Sequence, residues 1–277
     1  DVQKLLERKE YRRNPAQVAQ DALHWGTPLL DSALTLITET GLYYRGRSVL
    51  ALARSTSFEK VAALLWTADA ANADALFSQR PDVSEQPDAH LPPLQRAMVA
   101  LAQADDLAAY DLRPEAVARS GGRILALMAA ALTGTPLGAG ESLARHFAQC
   151  WQPDDSHLPR LIDAALILCA DHELNVSSFT ARVVASSDAT PYAVVIAGLA
   201  ALSGFKHGGN TERVEALFRE VGSEAQIARV IAERLRRGEP IPGFGHSLYP
   251  NGDPRAAVLL ELLAGAYPDA AEVRFAL

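Results

Sequence analysis

Ala170-Asp171-His172-Glu173-Leu174-Asn175 is the stretch that decides the fold of this chain. It directly follows an apolar run, 161–169, whose spacing predicts a buried helix. A histidine at the end of such a helix is more often a core residue bonded to backbone than a functional group. This segment gains its meaning from two others further along the chain.

The other two segments also centre on a histidine, and both are rich in glycine. His207 lies in Lys206-His207-Gly208-Gly209-Asn210, and His246 ends Pro242-Gly243-Phe244-Gly245-His246. Glycines allow the backbone to approach closely whatever the imidazole faces. Downstream, Asp253-Pro254-Arg255 predicts a helix that starts at Pro254 with Arg255 in its first turn. Taken singly, these features are also typical of a tight turn, a linker and a salt-bridged arginine.

The rest of the chain predicts a helical protein. Its 277 residues suffice for one large or two modest domains, and an aromatic content of only 6% favours helices over a β-sandwich. A capping box is predicted at Thr56-Ser57-Phe58-Glu59, and one short strand at Leu42-Tyr43-Tyr44-Arg45. Residues 69–92 read as a polar surface segment. Helices are predicted at 15–24, 93–104, 114–133, 141–151, 158–170, 176–186, 191–203, 210–220, 223–237 and 253–265.

Composition and motif spacing argue against several classes of function. The net charge of -7 does not suit nucleic-acid binding, and no apolar run is long enough to span a membrane. The two cysteines are too few for a disulfide framework and indicate a reducing compartment. His172-Glu173 begins like a zinc-protease helix, but Val176 stands where the second ligand would be, so we expect no metal. Neither a serine-hydrolase elbow nor a phosphate-binding loop with Lys-Ser/Thr is present.

Read together and in order, the three segments resemble the citrate synthase family. The Asp-His-Glu-Leu-Asn segment is followed by Gly204-Phe205-Lys206-His207-Gly208-Gly209, then by Gly-Phe-Gly-His, then by Asp-Pro-Arg. Upstream, Gly41-Leu42-Tyr43-Tyr44-Arg45-Gly46 and the Ser57-Phe58-Glu59 block are similar to early blocks of that family. The resemblance runs through nearly the whole chain from about Thr27.

The resemblance implies an all-α, two-domain fold that closes over the active site, in a homodimer. The cysteine usage predicts a cytoplasmic location. Residues 1–207 would form the large domain, with 1–26 a linker or N-terminal remnant, and 208–277 an incomplete small domain. The implied reaction condenses oxaloacetate with acetyl-CoA and hydrolyses the thioester to citrate and CoA. Acyl-CoA is then a co-substrate, and no permanently bound cofactor is expected.

The same resemblance implies a role for each candidate site residue. His207 would donate to the enolate oxygen of the thioester, and His246 to the oxaloacetate carbonyl. His172, Asn175 and Arg255 would hold oxaloacetate, the arginine by clamping a carboxylate with its fork of donors. A loop would contact the adenine of CoA, and it comprises Ile241, Pro242, Gly243, Phe244 and Gly245.

The sequence also departs from the family pattern. Ser247 and Pro250 stand where many bacterial members carry basic residues, and the family's catalytic aspartate is expected beyond Leu277. We therefore expect a truncated chain that is inactive alone, with residues 1–8 resembling the end of a helix-turn-helix segment. Two alternatives stay open. One is a 2-methylcitrate synthase that uses propionyl-CoA, and the other is a non-catalytic metabolite sensor built on the same fold.

Overall fold

The computed structural model describes residues 32–38, 41–78, 89–172, 175–245, 248–249 and 251–277. This part of the chain is mainly helical, as predicted, and the predicted helix at 15–24 lies outside it. The helices are α1 (Val49–Ser55), α2 (Phe58–Thr67), α3 (Ala73–Phe77), α4 (Pro93–Ala104), α5 (Pro114–Thr133), α6 (Leu143–Trp151), α7 (Leu158–Leu168), α8 (Val176–Ala185), α9 (Pro191–Leu202), α10 (Asn210–Val221), α11 (Ile227–Arg236), α12 (Pro254–Ala266) and α13 (Ala271–Ala276).

Most predicted helix boundaries agree with the structure within two residues, because local signals set them. Proline occupies the first position of α4, α5, α9 and α12, where its missing N–H costs no helix hydrogen bond. Gly134 ends α5 in the left-handed conformation, with φ +75°. The predicted helix at 223–237 is instead a 3₁₀ turn, Glu224–Gln226, followed by α11.

Three short antiparallel strands precede the helices: β1 (Thr35–Thr38), β2 (Gly41–Tyr44) and β3 (Arg47–Ser48). The predicted strand is β2, although Arg45 lies in the turn after it. Arg45 and Gly46 both have positive φ, 45° and 79°, as expected of a two-residue hairpin turn. The Arg45 guanidinium donates to the Leu65 carbonyl, with Nε at 2.9 Å and Nη2 at 2.7 Å. The sheet is therefore fixed to the last turn of α2.

The predicted capping box before α2 is wrong. Thr56 ends α1, and the Ser57 side chain makes no capping hydrogen bond. The first N–H of α2, that of Phe58, donates instead to Asp163 Oδ1 on α7 at 2.8 Å. Glu59 does not reach back, because its Oε1 accepts from the N–H of Leu143 at the start of α6, at 2.8 Å. Tertiary partners replace both local bonds.

Three hydrophobic clusters organise the described helices. The largest joins the sheet to α1, α2, α5, α6 and α7, and Val258 of α12 packs into it. A second lies among α4, α5 and α9, and a third is built on Leu217, Val221 and Val230 of α10 and α11. The predicted domain division at residue 207 stays a prediction. None of the helices in the part of the chain that the structure describes is long and apolar enough to cross a membrane.

The segment 69–92 is not wholly on the surface, contrary to the prediction. Leu76 and Phe77 of α3 are buried in the largest cluster, and the Phe77 ring stacks on Trp66 with centroids 5.9 Å apart. Gly122 of α5 makes this packing possible. A Cβ there would overlap the carbonyl oxygen of Leu76, so only glycine lets the two helices approach this closely.

Candidate active site

The segment that carries His172 begins where α7 ends, and Tyr44 of β2 fixes it. The Tyr44 hydroxyl lies 3.0 Å from the carbonyl oxygen of Ile167 and 2.8 Å from that of Asp171, and it accepts from the Asp171 N–H at 3.1 Å. Its side chain is fully buried, and burial raises the pKa of its phenol. This buried tyrosine therefore holds the backbone at the turn into the site.

Asp171 is directed away from solvent, towards the sheet. Its Oδ2 accepts a hydrogen bond from the Thr35 hydroxyl. Burial raises the pKa of this carboxyl, although the Thr35 hydroxyl and the His172 backbone act in the opposite direction. Asp171 thus has a structural role in anchoring the segment to β1.

His172 contacts Tyr249, which lies between His172 and Arg255. Nε2 of His172 is 2.8 Å from the Tyr249 hydroxyl oxygen. The guanidinium carbon of Arg255 lies over the Tyr249 ring, 5.7 Å from its centroid. Two residues that are far apart in sequence, His172 and Arg255, therefore meet on opposite parts of one tyrosine side chain.

Asp253 binds one edge of the Arg255 guanidinium. Its carboxylate caps α12 by accepting the Arg255 N–H at 2.9 Å, and it also binds the guanidinium through Nε at 3.0 Å and Nη2 at 2.6 Å. Burial acts to lower the pKa of Arg255, but the bonds to Asp253 outweigh it and raise the pKa. A charged arginine fork, only 18% exposed, is thus presented at the start of a helix.

A second group joins Asn175 to His207 through Ser177. Asn175 caps α8 by accepting the Ser178 N–H at 2.9 Å. The Ser177 hydroxyl donates to Asn175 Oδ1 at 2.8 Å and lies 2.9 Å from Nε2 of His207. Which of the two atoms donates in this second contact is set by the tautomer of His207.

The backbone around His207 folds as a compact turn between α9 and α10. The His207 N–H donates to the Gly204 carbonyl at 2.8 Å, and the Gly208 N–H donates to the Leu202 carbonyl at 2.9 Å. A Cβ at Gly208 would lie 2.6 Å from that Leu202 oxygen, so the turn requires glycine. Partial burial lowers the pKa of the His207 imidazole, which favours its neutral form near neutral pH.

The predicted CoA loop is anchored at its start and exposed at its tip. Pro242 is buried and Ile241 packs against the third cluster, whereas the Phe244 ring is 74% exposed. Gly243 and Gly245 have φ of +87° and +81°, and Gly243 lies close to the Val214 side chain. These conformations favour glycine, which explains the Gly-x-Gly pattern.

His246, Ser247 and Pro250 lie outside the described residues. Among the predicted site residues that are described, the structure brings together His172 with Arg255, and Asn175 with His207. The linking residues, Tyr249 and Ser177, were not identified from the sequence.

Each linking residue has a weak local signal. Ser177 lies in the first turn after Asn175, and Tyr249 is an aromatic residue in an otherwise polar, glycine-rich stretch. Within the part of the chain that the structure describes, no group of three or more His, Cys, Asp or Glu side chains is arranged to hold a metal ion.

Comparison with known proteins identifies the family. The family model for the citrate synthase C-terminal domain matches residues 22–276. A curated citrate synthase of Mycolicibacterium smegmatis is 32% identical over 251 residues, which span 81% of this chain and 67% of that relative.

Solved structures show the same fold. The citrate synthase of Thermotoga maritima aligns with a TM-score of 0.69 at 27% identity, over 91% of this chain and 75% of that one. The citrate synthase of Thermoplasma acidophilum, solved as a ternary complex with carboxymethyl coenzyme A and oxaloacetate, aligns with a TM-score of 0.70 at 24% identity, over 90% and 74% of the two chains. The chain belongs to the citrate synthase family.

Proposed function

We propose that the residues around His172, His207 and His246 bind oxaloacetate and acyl-CoA and catalyse their condensation. Acyl-CoA:oxaloacetate acyltransferase chemistry is the activity of the family, with acyl-CoA as co-substrate. The assignment of residues rests on one observation: His172 and Arg255 both contact the side chain of Tyr249. It supports a site where an imidazole and a guanidinium act on one small anion.

The oxaloacetate half of the site would use His172, Asn175, Arg255 and His246. Oxaloacetate is a dianion, and an arginine fork binds a carboxylate through two parallel hydrogen bonds. The hydrogen bonds that Arg255 donates to Asp253 orient that fork, which supports its use as a clamp. We assign His246 to the ketone of oxaloacetate, where an N–H donor stabilises the alkoxide that forms on condensation.

The acyl-CoA half of the site would use His207 and the loop at 241–245. The methyl group of a thioester is a very weak acid, so its deprotonation needs a donor at the developing enolate oxygen. The lowered pKa of His207 supports a neutral imidazole donor in this role. The exposed, glycine-rich tip of the loop supports a close approach of the backbone to CoA.

The test is release of CoA from acetyl-CoA and propionyl-CoA by the full-length protein in the presence of oxaloacetate. We expect acetyl-CoA to be preferred over propionyl-CoA. The extra methylene of propionyl-CoA would change the transition-state binding energy by about 1–3 kcal/mol in a fitted pocket. A preference for propionyl-CoA would instead identify a 2-methylcitrate synthase. His172→Asn should abolish most of the turnover, whereas His157→Asn, at a histidine that contacts Tyr267, should leave it unchanged.

Ser247 and Pro250 favour the metabolite sensor as the second candidate function, because many bacterial relatives have basic residues there. Calorimetry beside the turnover assay separates the two functions. Binding of oxaloacetate without release of CoA from either thioester would support the sensor. Turnover with a normal dependence on oxaloacetate would exclude it.

We further propose that the chain forms a homodimer through α4, α5, α8 and α9. None of the residues of α8, all of which are described, is buried, and α9 is apolar around its whole circumference with only Tyr192 and Leu199 buried. A cavity of about 810 Å³, mostly apolar, lies among α2, α5, α9 and the end of α8. A helix that is apolar all round belongs in an interior, and a second copy would provide one.

Light scattering of wild-type protein and of Val183→Glu tests the dimer. Val183 is 53% exposed on α8, so a charge there should convert a dimer to a monomer. Leu235→Glu, at a residue 63% exposed on α11, is the matched control and should leave the dimer intact. A wild-type monomer at micromolar concentration would contradict the proposal.

Cytoplasmic location and a place in the tricarboxylic acid cycle complete the proposed function. Cys150 and Cys169 are both free thiols, as is usual in a reducing compartment. Fractionation of cells that express the full protein would test the location.

A further inference from the structure

Tyr249 is a buried tyrosine with contacts to His172 and Arg255, two of the residues that we assign to oxaloacetate. Its side chain is only 6% exposed. The hydroxyl oxygen lies 2.8 Å from His172 Nε2, and the two rings are tilted by 58° with centroids 5.6 Å apart. The Arg255 guanidinium lies over its ring face.

We propose that Tyr249 is a positioning residue that sets the orientation and spacing of His172 and Arg255 before oxaloacetate binds. This inference rests on the proposed function and adds a residue to it. The hydroxyl restrains rotation of the His172 imidazole, and the ring restrains the plane of the guanidinium. The Tyr249 side chain, which has only two rotatable bonds, thereby links the His172 imidazole to the Arg255 guanidinium.

The contacts on Arg255 divide the task between two residues. Asp253 binds the Nε and Nη2 edge, while the Tyr249 ring covers one face of the guanidinium. Edge and face contacts together determine both the direction and the plane of the fork. The guanidinium forms two parallel hydrogen bonds to a carboxylate only when its direction and its plane are both correct.

His172 has a comparable restraint. Its segment is fixed at the backbone by Tyr44 and at the ring by Tyr249. Substrate-binding groups held in their final geometry lose less conformational entropy when the ligand binds. Removal of the restraint should therefore weaken binding of oxaloacetate and leave the acyl-CoA side of the reaction largely unchanged.

The test compares Tyr249→Phe, which keeps the ring and removes the hydroxyl, with Tyr249→Leu, which removes both contacts. Tyr267→Phe is the matched control, because Tyr267 donates its hydroxyl to Asp155, outside the proposed site, at 2.5 Å. The full-length protein is assayed for oxaloacetate binding by calorimetry, for KM of each substrate, for kcat and for Tm.

We expect Tyr249→Phe to weaken oxaloacetate binding about fivefold to tenfold, the effect of one lost hydrogen bond. KM for acyl-CoA should change less than twofold, and Tm should stay near that of the wild type. Tyr249→Leu should weaken oxaloacetate binding further, and Tyr267→Phe should have no effect on it.

Unchanged oxaloacetate affinity in Tyr249→Phe, with normal binding by the wild type, would overturn the positioning role alone. Equal weakening for both substrates together with a lower Tm would overturn it as well, because that pattern indicates a purely structural residue. A wild-type protein that neither binds oxaloacetate nor releases CoA would overturn the proposed function, and this inference with it.

Discussion

The Ser177 hydroxyl oxygen lies 2.9 Å from Nε2 of His207 and 2.8 Å from the amide oxygen of Asn175. The cap of α8 and the histidine between α9 and α10 are thus joined by a single hydroxyl group. This link fixes the orientation of His207, and it suggests that Ser177 supports catalysis without contact with substrate.

Replacement of Ser177 by alanine should lower kcat about tenfold with a smaller change in the KM for oxaloacetate, because one hydrogen bond that orients the imidazole is lost. Steady-state kinetics with both substrates varied provide the measurement. Ser186→Ala is the matched control, since Ser186 follows the same helix and its exposed hydroxyl donates to the Val183 carbonyl. Equal kcat values for Ser177→Ala and the wild type would contradict the role.

Arg255→Lys should raise the KM for oxaloacetate about tenfold although the positive charge is kept. Lysine cannot reproduce the planar fork that Asp253 and Tyr249 orient, so a parallel pair of hydrogen bonds is lost. The KM for acyl-CoA should be unaffected. Arg274→Lys, at an exposed arginine of α13, serves as the control. The prediction fails if oxaloacetate kinetics are identical in the variant and the wild type.

Gly122→Ala and Gly265→Ala should have opposite effects on stability, although both glycines lie within helices. A methyl group at Gly122 overlaps the Leu76 carbonyl oxygen, and we expect a loss of about 1–3 kcal/mol in the free energy of unfolding. A methyl group at Gly265 meets open space, so the variant should gain about 0.5 kcal/mol. Urea denaturation measures both. Stabilisation by both substitutions would show that α3 and α5 are not in contact.

Asp163→Ala should destabilise the protein by about 1–2 kcal/mol, because the Phe58 N–H at the start of α2 loses its acceptor. Asp163→Asn keeps an acceptor oxygen and removes a partly buried charge, and should be at least as stable as the wild type at pH 7. Denaturation with urea measures both, and an alanine variant as stable as the wild type would be inconsistent with this cap.

Asp163→Asn and the wild type should also respond differently to pH. Burial raises the pKa of Asp163, an effect that the Phe58 N–H only partly offsets. The folded state therefore binds the proton more tightly than the unfolded chain. The contribution of Asp163 to the free energy of unfolding falls as the pH rises from about 3.9 through its raised native pKa. Asp163→Asn cannot titrate, so its stability relative to the wild type should increase over that window. A constant difference in the free energy of unfolding between Asp163→Asn and the wild type from pH 4 to 7 would contradict a raised pKa of Asp163.

Local signals in the sequence predicted much of the helical framework. Proline at the first position of α4, α5, α9 and α12 fixed where those helices begin, because a proline ring has helical φ and needs no N–H partner there. The same local reasoning failed at Thr56–Glu59. Asp163 and Leu143, which are distant in sequence, offered better partners than the capping box.

The sequence by itself determined the family and the helical class, and it predicted the histidine and arginine residues of the candidate site, since these depend on residue type and order along the chain. Only the tertiary structure decided which of them meet, through Tyr249 between His172 and Arg255 and through Ser177 beside His207. It also showed Gly122 to be a contact point for α3. The physical reason is that hydrogen bonds and ring contacts between distant segments depend on how helices pack, and a sequence pattern records only local spacing.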